Sequence, residues 1–78
     1  MWNQIFNIKL EKTDGTTQDI GILETREEQA IDDTQAMTRV MSELVINKDL
    51  MVYQWRGKVI PMALFAGFEV TLTAAWSD

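Results

Sequence analysis

Carboxylates are the side chains whose number and spacing could do chemistry in this chain. Glu24, Glu27, Glu28, Asp32 and Asp33 fall close together, with Arg26 as the only basic residue among them. Such a group has three uses. A pair in contrasting environments can divide acid–base work. Several together can bind Ca²⁺ or Mg²⁺ through oxygen ligands. An unpaired cluster can meet a basic surface on another protein. Acid–base work needs a cleft with desolvated walls, which one helix on a small sheet rarely encloses. A metal site would need a ligand loop of the Asp-x-Asp-x-Asp-Gly kind, which the sequence lacks. Two readings are left: a solvated helix face whose carboxylates suit the helix dipole, and a docking surface, which assigns Glu24, Glu27, Glu28, Asp32, Gln35 and Glu43 to a partner-binding face. No cofactor or metal is expected.

The chain has no histidine and no cysteine, so Ser-His, Cys-His and His-metal arrangements are impossible. It reads as a protein that is not an enzyme. Two aromatic features compete with the acidic one. Tyr53 and Trp55 beside Arg56 and Lys58 have the residue types of a base-stacking strand with a cationic rim. Those two cations in a chain of net charge −5 make a poor electrostatic funnel, and there is no RNP-type motif. Trp2, Met62, Leu64, Phe65 and Trp76 are surplus to the expected core and compose a candidate apolar interface.

These residues need elements to hold them. The spacing predicts one amphipathic helix over 25–46, with Thr25 as N-cap and Glu28 completing a capping box. Its apolar stripe is Ala30, Ile31, Thr34, Met37, Met41, Leu44 and Val45, opposite Glu28, Asp32, Gln35, Arg39 and Glu43. Glu28 and Asp32, four apart and alike in sign, would repel by ~0.2–0.5 kcal/mol on such a face. Before the helix, residues 2–12 alternate as a strand with Phe6, Ile8 and Leu10 inward. A second strand over 16–23 turns Ile20 and Ile22 inward. A three-residue loop, Thr13-Asp14-Gly15, pairs Lys12 with Thr16 and puts Gly15 in a left-handed G1 bulge. It also sets Ile8 against Ile20 and Phe6 against Ile22; a two-residue loop would turn the apolar faces apart.

After the helix come strands over 50–56 and 58–60, joined by a tight turn at Arg56-Gly57. Pro61 confines the second of these to a short or edge position. The segment from Met62 to Ala66 carries no clear pattern. A last strand over 68–75 turns Phe68, Val70, Leu72 and Ala74 inward. The fold class is α+β: a single domain over 1–78, with one helix on one face of an antiparallel sheet of four to five strands. The order is β-β-α-β-β-β, or β-β-α-β-β if the fourth strand is only a turn.

The functional expectation is a small, acidic, non-enzymatic protein-interaction module, with a protein partner. Its size and charge are compatible with bacteriophage-encoded inhibitors that act as decoys for a basic surface, an analogy at the level of class only. The alternative is a self-assembling structural subunit, a homo-oligomer built on the Trp/Met/Phe surface. Single-stranded nucleic-acid binding through Tyr53 and Trp55 comes third. Duplex DNA and membranes are not expected partners of so acidic a surface. The opening residues lack a signal-peptide pattern, and cysteine is absent, so a cytoplasmic location is expected. No motif ties the chain to a known family.

Overall fold

Eleven residues at the start of the chain, Trp2–Lys12, form the strand on which the rest is built. The structure, a computed structural model, describes residues 1–43, 45–47, 52–55, 58–61 and 65–78. In chain order the elements are β1 (Trp2–Lys12), β2 (Thr17–Glu27), α1 (Asp33–Glu43), β3 (Val45–Asn47), β4 (Val52–Trp55), β5 (Lys58–Pro61) and β6 (Phe65–Ser77). The class is α+β. The strands make two antiparallel three-stranded sheets, ordered β2-β1-β6 and β3-β4-β5. This differs from a single sheet of four to five strands. Two long strands flank β1, one on each side, and the three short strands pair among themselves.

The first hairpin has the expected loop. Lys12 N donates to Thr16 O at 2.9 Å and Gly15 N to Lys12 O at 3.0 Å. Gly15 has φ 88°, a conformation that costs a residue without Cβ little. The pairing then departs from expectation. Lys9 faces Asp19, but Ile8 faces Gly21, so Ile20 is an extra residue on β2. Gly21, at φ 138°, supplies the backbone for this bulge, and its N–H donates to Asp19 Oδ1 at 3.1 Å. Beyond the bulge the alternation changes phase. Phe6 meets Leu23 rather than Ile22. Leu23 is buried, and Ile22 is 41% exposed.

The predicted helix start is also displaced. Thr25 does not cap a helix; it lies inside β2, opposite Gln4. The N-cap is Asp32. Gln35 N donates to Asp32 Oδ1 at 2.8 Å, and Asp32 N donates back to Gln35 Oε1 at 3.1 Å. That is a capping box seven residues downstream of the expected one. Ile31 just before the cap and Ala36 in the first turn both join the core, in the positions of a hydrophobic staple. The strand wins at Thr25 because β1 offers it a complete ladder, whereas a helix there would leave one edge of β1 unpaired. The helix also ends early. Val45 and Ile46 are β-branched and pair with Gln54 and Tyr53 as β3.

Because α1 starts at Asp33, its buried face is Ala36 and Val40, four apart, while Thr34 and Met37 are exposed. Ala30 is exposed before the helix begins. Leu44 and the side chains of Met41 and Val45 lie outside the described residues. The core joins Phe6, Ile8 and Leu10 from β1 with Ile20 and Leu23 from β2, Ile31, and Ala36 and Val40 of the helix. Phe65, Phe68 and Val70 of β6 pack against it, with the two rings 5.1 Å apart and tilted by 59°. β5 is four residues long at the edge of its sheet and includes Pro61, as proline's missing donor requires. The Arg56-Gly57 turn lies outside the described residues.

Candidate functional site

The residues assigned to the partner-binding face are spread over several elements. Glu24 and Glu27 belong to β2, Glu28 to the bend after it, and Asp32 and Gln35 to the helix cap. The helical i, i+4 repulsion between Glu28 and Asp32 therefore does not arise. Glu27 pairs with Arg39 of α1. Asp32 and Gln35 spend their side chains on each other's backbone. Glu43 ends α1, and its side chain lies outside the described residues. What stays available is a border made by Glu24 and Glu28, both exposed and without an ion pair among the described residues. Among the described residues no three His, Cys, Asp or Glu side chains cluster to hold a metal.

The apolar candidates are also separated. Trp2 is in phase with buried Gln4 and Phe6, so it lies on the inner face of the first sheet, 40% exposed at its end. Trp76 pairs with Asn3 on the outer face and is 48% exposed. Phe65 is half-buried against the core. Met62 and Leu64 lie outside the described residues, as do Arg56 and the side chains of Tyr53, Trp55 and Lys58. The expected Trp/Met/Phe surface is therefore not one patch among the described residues.

A different surface is assembled in its place. On the outer face, register places Arg26, Asn3 and Trp76 in one row across the three strands. Glu24, Ile5 and Ala74 form the next row, and Ile22, Asn7 and Thr71 the one after. Ile5, Ile22, Ala74 and Trp76 give this end of the face an apolar character, with an open depression of about 390 Å³ beside Asn3, Glu24, Arg26 and Trp76. Strict alternation from Phe68 would put Ala74 inward. A bulge on β6 explains its position: Ile5 faces Ala74 and Phe6 faces Leu72, so Thr73 is extra. The Thr73 hydroxyl donates to Ile5 O at 3.0 Å and holds the bulge to β1. Thr73 carries no local signal of this, unlike Gly21, whose place inside a strand marks a bulge.

This patch runs out to the β6 edge. β6 has β1 on one side and no strand on the other among the described residues. Val70–Ser77 is an uncharged run with no Pro or Gly, and all of it except Val70 and Ala74 is exposed. The opposite edge, β2, carries Asp19, Glu24, Arg26 and Glu27 and is kinked at Gly21. Charges of that kind blunt an edge against strand addition, and β6 has none over this run; both edges have a bulge, at Gly21 and at Thr73, so charge is what separates them. Among the described residues no helix is long and apolar enough to cross a membrane.

Comparison with protein-family models, with curated proteins and with solved structures finds no match.

Proposed function

We propose that this chain is a non-enzymatic protein-interaction module that takes a partner strand along the second half of β6. The observation that carries the reading is the uncharged Val70–Ser77 run at an edge with no neighbouring strand among the described residues. Strand addition draws affinity from main-chain hydrogen bonds and selectivity from alternate side chains. Here Leu72 and Ala75 would meet a partner on the inner face, and Thr71 and Trp76 on the outer one.

The test is a titration of dilute protein with a synthetic uncharged strand octapeptide carrying two lysines beyond its end, followed by amide NMR. Shifts confined to Val70–Ser77 support the reading. Shifts confined to the Glu24–Glu28 border, or none, remove it. A second reading keeps the acidic decoy, with Glu24 and Glu28 meeting a basic surface, and rests on their exposure without an ion pair among the described residues. It predicts partner binding that weakens as salt rises and is lost in Glu24→Lys with Glu28→Lys.

A further inference from the structure

We infer that the strand added to β6 is β6 of a second copy of this chain, antiparallel about a two-fold axis. The inference rests on the interaction-module reading above and names its partner. Charge selects the occupant. A strip without charge has no ion-pair partner for a charged strand, and Val70–Ser77 of a second copy is a neutral strand of the same length; copies carrying −5 each repel least along it. A basic partner would instead be drawn to the β2 side, where Asp19, Glu24 and Glu28 lie.

The bulge at Thr73 fixes the register. Val70 and Leu72 share the inner face with Ile8 and Phe6, while Ala75 and Ser77 share it with Gln4 and Trp2. The extra residue moves the inward set from even to odd numbers along β6. Two antiparallel copies keep inner face with inner face only if the axis passes between two residues. Placed between Thr73 and Ala74, the axis sets Leu72 against Ala75, Val70 against Ser77 and Thr71 against Trp76 of the other copy. Every pair matches in face, and the uncharged run is used in full. The next pair would be Glu69 against Asp78, two carboxylates, and the ladder stops there.

The product is a continuous six-stranded sheet, β2-β1-β6-β6-β1-β2. Its two remaining edges are both β2, which carries Asp19, Glu24, Arg26 and Glu27 where β6 carries no charge, so assembly ends at the dimer. Association strengthens as salt screens the repulsion between copies, the opposite sign to an acidic decoy.

Light scattering over a concentration series tests this on the full chain. Twice the monomer mass, increasing in population with salt, is expected. Ala75→Lys adds a charge at an exposed position and should return the mass to that of a monomer. Because the chain has no cysteine, Ala74→Cys is a clean probe: it lies beside its symmetry mate and should form a disulfide-linked dimer on mild oxidation, while Thr17→Cys on β2 should not. A monomer at every concentration, with no cross-link through Ala74→Cys, overturns the inference. So does a dimer that survives Ala75→Lys and cross-links through Thr17→Cys. Should the octapeptide bind β6 while the chain stays monomeric, the second-copy partner is wrong and the interaction-module reading stands. Should neither occur, both fall.

Discussion

Gln4 joins two parts of the molecule with one side chain. It is buried, its Nε2 donates to Ile31 O at 3.1 Å, and its Oε1 accepts from Ile31 N at 2.8 Å. The segment between β2 and α1 is thereby tied to the central strand, and both buried backbone groups of Ile31 are satisfied. Its neighbour Thr25 is equally buried, yet its hydroxyl has no hydrogen-bond partner. A buried unmet hydroxyl costs about 1–3 kcal/mol. Thr25→Val, nearly the same shape, should therefore raise the urea midpoint; if Thr25 capped a helix the same change would lower it. In the hairpin, the Thr16 hydroxyl and amide both donate to Asp14 Oδ1, at 2.6 and 2.9 Å, and hold its carboxyl below the usual carboxylate range. The folded-state value is depressed, so the ionised turn contributes stability above the ordinary carboxylate pKa of ~3.9 and loses it as pH falls through the depressed value. Thr16→Val should bring the Asp14 titration back up toward ordinary, as followed by carboxyl NMR.

Elements are where two local signatures compete. Thr25-x-x-Glu28 and Asp32-x-x-Gln35 both have the form of a capping box, and only the second is used. Asp32→Ala should cost about 0.5–2 kcal/mol in chemical denaturation, and Glu28→Ala, exposed in the bend, should cost close to nothing. Local pattern could rank neither box, because the deciding partner is Gln4, 21 residues away from Thr25 and pairing with it across the sheet. The alternation of β1 and the three-residue hairpin loop were legible, since period and turn chemistry are local. The bulge at Gly21 had a visible cue in the glycine itself. That at Thr73 had none, because a threonine's β preference conceals the hydroxyl bond to Ile5 that makes the bulge. Both bulges shift the phase of their strands, β2 and β6, and strict alternation, which counts neither, puts Ile22 and Ala74 on the wrong face.

At the scale of the whole molecule the asymmetry between the two edges of the first sheet matters most. The clustered acidic residues are divided between β2, the bend after it and the helix cap: Glu27, Asp32 and Gln35 bond within the chain, and Glu24 and Glu28 are exposed without an ion pair among the described residues. The site carried by β6 was not legible as a site. Its alternation was plain, but whether a strand is central or at an edge depends on topology, and β6 reaches β1 across nearly the full chain. Long-range pairing of this kind makes folding slow, since the loop must close before its contacts form.

The register of β1 with β6 has a mechanical consequence. Trp2 faces Ser77, and Asp78 N donates to Met1 O at 3.0 Å, so residues 1 and 78 sit side by side at one end of an antiparallel ladder. A force applied between those two residues acts along the inter-strand bonds and breaks them one after another, as a zipper opens. Applied between Trp2 and Phe65, at opposite ends of the same ladder, it loads all of them together in shear. In an optical trap the first attachment should yield at markedly lower force than the second, and equal forces would show that something other than the β1–β6 ladder bears the load.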